Sequence, residues 1–227
     1  MNDFIPQKGY YRSLRVYQVS EIIYDITYVF VRRFLSKGDR TVDQMLQAAR
    51  SGKQNIAEGS AAGTTSKETE IKLTNVAKAS LQELLLDYED YLRVRGLNLW
   101  NKSSAKALQT RRFCQNNNNN SVYKEAVMIR SDETVANICI ILIHQADVLL
   151  QRLIERQKSD FIKYGGIREQ MSAARRAYRS TQSSQSPQSS QSPQSSQSSQ
   201  SSQSPQSPRS TQSPQSSRSS QSPQSEE

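Results

Sequence analysis

Proline is nearly missing from the part of the chain able to fold. Of seven prolines, six lie beyond residue 179 and the seventh is Pro6, so residues 7–179 hold none. That suits long, uninterrupted helices, because an interior proline removes a backbone donor and clashes with the preceding turn. Cysteine is also scarce. Cys114 and Cys139 are the only two, and neither stands in a CxxC or Cys/His spacing, so no metal site is expected from them. There is one histidine, His144, and no Gly-x-Ser-x-Gly or His/Glu metal pair beside it. Catalysis would need such a partner. The chain is therefore read as a non-enzyme with no cofactor. The longest apolar run, Ile138 to Ile143, falls far short of the ~20 residues of a membrane-crossing helix. The opening MNDFIPQKGY lacks the charged start and apolar stretch of a signal peptide. Few cysteines and no secretory pattern point to a reducing, cytoplasmic compartment.

Aliphatic and aromatic side chains disappear at residue 180. From Ser180 to Glu227 the chain is almost wholly Ser, Gln and Pro, with nothing to bury against the entropy cost of ordering. The tail carries Arg209 and Arg218 against Glu226 and Glu227, so it is neutral, and the net charge of +9 belongs to the preceding residues. An excess of that size on one domain points to a polyanionic partner, nucleic acid above all, or else serves solubility.

What is present is helical periodicity. Leu14, Tyr17, Ile22, Ile26, Val29, Phe30 and Phe34 recur at three- and four-residue steps and predict a helix from Tyr11 to Lys37. A second is predicted from Thr41, capped by Asp39 or Thr41, with Val42, Met45, Leu46, Ala49, Ile56 and Ala57 inward and a turn at Gly59–Gly63. Thr65-Ser66-Lys67-Glu68 has the form of a capping box opening a third helix, whose inward residues include Ile71, Leu73, Val76, Ala77, Leu81 and Leu84. Residues 97–129 read as a variable connection. It holds a short helix with Trp100 and Leu108, Cys114 in a polar loop-like stretch, and a loop at the Asn116–Asn120 run. A fourth helix starts near Ser131 and carries Val135, Ile138, Cys139, Leu142, His144 and Leu149 on its apolar face. A short segment, Phe161 to Arg179, follows; Gly165-Gly166 breaks that segment, and Ile167 to Tyr178 predicts a last short helix.

The expected architecture is all-α: an antiparallel up-down-up-down four-helix bundle over residues 11–158. Residues 1–10 form an N-terminal extension, 159–179 a basic C-terminal suffix, and 180–227 a disordered low-complexity tail.

Within this frame, Asn55 and Glu58 lie one turn apart beside Gly59, with Arg50 a turn earlier. They read either as a polar inter-subunit or ligand-facing cluster, or as a network satisfying the end of a helix. His144, amid apolar residues, reads as a hydrogen-bonded core or interface histidine. Glu83, Asp87 and Asp90 share a helix face and read as solvated. The basic residues of the first helices include Arg12, Arg15, Arg32, Arg33, Arg50 and Lys53. The suffix adds Arg168, Arg175, Arg176 and Arg179, with Tyr178 available for stacking. These ten cations are the candidate nucleic-acid contacts; the alternative for the suffix is a solvated helix.

The segment Asp43-Gln44-Met45-Leu46-Gln47-Ala48-Ala49-Arg50-Ser51 with Asn55-Ile56-Ala57-Glu58-Gly59 resembles a bacterial four-helix-bundle family. That family includes proteins encoded in intervening sequences of 23S ribosomal RNA genes and the accessory variability determinant of diversity-generating retroelements. Ser66-Lys67-Glu68 and the stretch Ala77–Leu86 continue the likeness. Ile129-Arg130-Ser131-Asp132-Glu133, Leu142-Ile143-His144-Gln145-Ala146 and Gly165-Gly166 are similar to its longer subgroup with a C-terminal suffix. The resemblance spans roughly residues 11 to 179, and Asn55, Glu58 and Gly59 are its motif residues. It implies a homo-oligomeric ring of five subunits whose basic surface meets RNA and a reverse transcriptase. The expectation is thus a homo-oligomeric scaffold for nucleic acid, RNA in particular, with docking of a protein partner such as a reverse transcriptase as the alternative.

Overall fold

Helix signals dominate the structure, a computed structural model that describes residues 10–183. Seven α-helices and a leading 3-10 turn, Tyr11–Ser13, form in chain order, and no strand occurs among the described residues. They are α1 (Arg15–Phe34), α2 (Arg40–Ala62), α3 (Lys67–Val94), α4 (Ala105–Asn116), α5 (Asn120–Ile129), α6 (Asp132–Tyr164) and α7 (Ile167–Ser183). The chain is all-α. The expected tail lies outside the described residues from residue 184 onward, and α7 runs five residues past the predicted stop at Tyr178.

Capping chemistry fixes most starts. Asp39 accepts from the Thr41 N–H at the head of α2, and Ser131 accepts from Thr134 N–H at the head of α6. The capping box of α3 does not close as predicted. Ser66, not Thr65, is the N-cap and accepts from Thr69 N–H, which leaves Glu68 free to pair with Lys72 at 2.6 Å instead. The first helix is shorter than predicted, since Leu14 and Leu35 are extended and bracket it. The turn expected at Gly59–Gly63 is also displaced. Helix α2 continues through Ala62 and buries Gly59 in mid-helix.

Packing links α1 to α2, α2 to α3, α3 to α6 and α6 back to α1. Between α3 and α6, Tyr91 meets Asp132, Gln82 meets Asp147, Lys78 meets Gln151 and Thr74 meets Gln157. Contacts thus advance along one helix as they retreat along the other. The core contains Ile22, Ile23, Ile26, Met45, Ile56, Leu81, Leu84, Cys139 and Leu142. Phe30 stands at its aromatic centre, 4.9 Å from the Tyr88 ring and 4.8 Å from that of Tyr91. Val76, expected inward, is instead exposed; Ala77 is buried as expected, and Thr74 and Ser80 are buried with it.

Helices α2 and α3 approach closely because α2 presents small residues to α3. A Cβ added to Gly52 would stand 2.6 Å from Leu81 Cδ2, and one on Gly59 would stand 3.3 Å from the Glu70 carbonyl oxygen. Helix α6 contains an 18-residue window apolar enough to cross a membrane by composition, but 61% of that window is buried inside the protein. Its apolarity is used by the core.

The asparagine run is not one long loop. Asn116 ends α4 and Asn120 begins α5, leaving only residues 117–119 between them. Asn119 caps α5, Asn118 donates to Gln18 Oε1 and Asn120 donates to Asp25 Oδ2. Short polar side chains capable of local and cross-helix hydrogen bonds make the tract a tight corner fixed to α1.

Candidate nucleic-acid interface

The predicted cations fall into three groups with different surroundings. Arg15 and Arg33, at opposite ends of α1, are held by backbone carbonyls. Arg15 Nη2 donates to Gln115 O at 2.5 Å and Cys114 O at 3.4 Å, at the C-terminal end of α4. Arg33 Nη1 donates to Val127 O, and to Arg130 O at 3.5 Å, at the C-terminal end of α5. Each cation thus meets the carbonyl-rich, negative end of a helix. Their role is to fasten α4 and α5 to α1.

A second group lies over aromatic faces. Arg12 stands 5.9 Å from the Tyr11 ring centre, Arg32 is 3.9 Å from that of Tyr28, and Lys53 is 4.3 Å from that of Tyr24. The neighbouring Tyr11 hydroxyl raises the pKa of the Arg12 guanidinium. Arg12 and Arg32 are both exposed. Arg12 precedes α1 in the 3-10 turn while Arg32 lies in the last turn of α1, a helix of 20 residues or about 30 Å, so α1 does not gather them into one patch. Arg50 is exposed on α2.

The third group is α7. Gly165, at φ 69°, is in a conformation that side chains disfavour, and it separates α7 from α6. Arg168, Arg175, Arg176 and Arg179 are all exposed, and none has a carboxylate partner among the described residues. Arg176 donates only to Ser172 Oγ, at 3.3 Å. Glu169, the acid of this helix, accepts from none of them; its carboxylate accepts from Gly166 N–H. Positions 168, 175 and 179 share one face by helical spacing, and Tyr178 beside them is 70% exposed. The next face carries Ile167, Met171, Ala174 and Tyr178.

The motif residues Asn55, Glu58 and Gly59 have different surroundings. Asn55 Nδ2 donates to Ser51 O at 2.9 Å and to Ser51 Oγ at 3.1 Å, and Ser51 Oγ lies 2.9 Å from Ser80 Oγ. Gly59 is buried against α3, while Glu58 is exposed. The segment serves the α2–α3 contact.

Two residues depart from their predicted places. Cys114 is buried on α4, not in a loop, and burial pushes its thiol pKa up. Of the two places expected for His144, core or interface, the core is excluded; the residue is half-buried, makes no side-chain hydrogen bond among the described residues, and lines a cleft of about 570 Å³. Burial first, then the Lys102 charge, lowers its pKa. Arg15, Lys102, Arg111 and Arg152 line the same cleft. Sequence reading missed the last three because they come from α4, the segment before it and α6, and only the fold unites them. Among the described residues no group of three His, Cys, Asp or Glu is gathered as a metal site would require.

Compared with protein-family models, curated proteins and solved structures, the chain matches none.

Proposed function

We propose that this chain is a non-enzymatic, homo-oligomeric scaffold that binds structured RNA through α7 and the cationic surface around it. Its four long helices form an antiparallel up-down-up-down four-helix bundle, and α7 projects from it as the basic contact element. The observation that carries the reading is the set of four exposed arginines on α7 with no carboxylate to neutralise them. Cations left unpaired on a surface keep their full attraction for phosphate. Arginine also forms bidentate contacts with phosphate, and Tyr178 offers a stacking face to an unpaired base. Recognition of this kind depends on charge and shape more than on base sequence.

Self-association draws support from the apolar side chains left in water near the α6–α7 junction, with Ile162 84% and Tyr164 57% exposed. The ring of five subunits belongs to the same proposal, and light scattering on the full chain tests it.

A second reading, docking of a protein such as a reverse transcriptase, is favoured by the apolar face of α7. Ile167, Met171, Ala174 and Tyr178 have the spacing of helix-in-groove anchors. Anisotropy of a labelled structured RNA with the full chain over a salt series separates the two. Affinity that falls steeply with salt supports RNA binding; absence of binding at low salt leaves the protein partner as the account.

A further inference from the structure

The cleft between α4 and α6 has two chambers of different chemistry. One, about 570 Å³, is ringed by Lys102, Arg111, Arg152 and His144. The other, about 440 Å³, is lined by Leu99, Trp100, Ala107 and Ile140. Both share Lys102, Arg111, Ile141 and His144, so they are continuous. Each lies in the size range of small-molecule sites.

The first chamber is built to attract an anion. Lys102, Arg111 and Arg152 make no ion pair, hydrogen bond or aromatic contact among the described residues. The acid of the chamber, Asp147, is already engaged: its Oδ1 accepts from Gln82 at 2.9 Å and stands 3.7 Å from Lys78 Nζ. Three uncompensated cations around one concavity repel one another, and an anion bound among them relieves that repulsion. Arg15, at the rim, is spent on the α4 carbonyls and positions the wall. The second chamber sets Leu99, Trp100, Ala107 and Ile140 beside the polar side chains of Glu89, Asn101 and Asn137, a lining that suits a planar group with hydrogen-bonding edges, and its one carboxylate leaves the three cations of the cleft in excess.

We infer that this cleft binds a nucleotide, its phosphate held by Lys102, Arg111 and Arg152 and its base placed in the chamber of Trp100. The ligand is either a free nucleotide or the phosphorylated end of an RNA strand. The inference rests on the nucleic-acid reading and gives it a second, strand-end contact distinct from α7.

Trp100 is the single tryptophan of the chain and stands in the base chamber, so its fluorescence reports occupancy directly. The full chain is titrated with adenosine 5′-monophosphate, with adenosine, and with a short RNA bearing either a 5′-phosphate or a 5′-hydroxyl. Saturable quenching by the monophosphate but not by adenosine is expected, weakened about tenfold or more in Arg111→Glu and in the exposed Lys102→Ala. Arg175→Glu on α7 should leave it unchanged. Quenching by the 5′-phosphorylated RNA alone would name the strand end as the source. No saturable response to either phosphate ligand, or a response in both cleft variants as strong as that of the unsubstituted chain, overturns the inference. If long RNA still binds in that case, only the cleft site falls and the α7 reading stands.

Discussion

Tyr88 and Thr27 meet in the core, where the Tyr88 hydroxyl donates to Thr27 Oγ1 at 3.0 Å. Thr27 Oγ1 in turn donates to the Ile23 carbonyl at 2.8 Å, and Cys139 Sγ lies 4.0 Å away. This chain of polar atoms joins α1, α3 and α6 inside an otherwise apolar centre. Burial drives the Tyr88 pKa up, and burial likewise pushes the Cys139 thiol up to about 12, so both stay neutral at ordinary pH.

Two substitutions should therefore cost different amounts. Tyr88→Phe removes the donor and should lower stability by about 1 kcal/mol, while Thr27→Val strands a buried hydroxyl and should cost about 1–3 kcal/mol. The double variant should cost less than the sum, because neither partner is then left unpaired. Urea denaturation of the four proteins measures the coupling.

The α2–α3 contact gives a prediction opposite in sign to helix propensity. Gly52→Ala should favour an isolated helix by about 1 kcal/mol. In this protein the new methyl would meet Leu81, which is 1% exposed and enclosed by the core. The net effect should be destabilisation of about 1–3 kcal/mol. Thermal unfolding with an unchanged or higher melting temperature would contradict the close approach of the two helices.

Asp87 supplies a pH-dependent test. It is half-buried, its Oδ2 has no hydrogen-bond partner, and burial, followed by the charges of Glu83 and Asp90, raises its pKa. The folded state therefore holds the proton more tightly than the unfolded one. The cost of ionising Asp87 is absent at pH below its unfolded value and sets in as pH rises through the raised folded value. Asp87→Asn should stabilise the protein at pH 7 by about 0.5 kcal/mol, given its partial exposure to solvent. The gain should shrink toward about pH 4. Denaturation at both pH values checks it; equal effects would contradict the shift.

Much of the fold was legible because helices announce themselves locally. Asp39 and Ser131 are caps with a hydroxyl or carboxylate in reach of the next turn, and Gly165-Gly166 breaks α6 where the sequence places it. Errors arose where tertiary contacts decided the outcome. Val76 has an apolar side chain, yet it is exposed, while the polar Thr74 is buried beside Gly59 and accepts a hydrogen bond from Gln157. The asparagine run looked like a loop by composition, but its amides bond to Gln18 and Asp25 and draw two helices together. The α7 arginines were readable as a local excess of charge. The cleft was not, because Arg111 and Arg152 stand far apart in the chain and belong to different helices.

The central claim, RNA binding through α7, is tested most directly by charge reversal. Affinity of the full chain for a structured RNA is measured over a salt series beside the triple variant Arg175→Glu, Arg176→Glu, Arg179→Glu. These side chains are exposed and unpaired, so the fold should survive, as circular dichroism checks. Each lost phosphate contact should lower the salt slope by about 1, so the variant should bind weakly and with a slope reduced by about 3. An affinity and slope unchanged by the reversal would contradict the account.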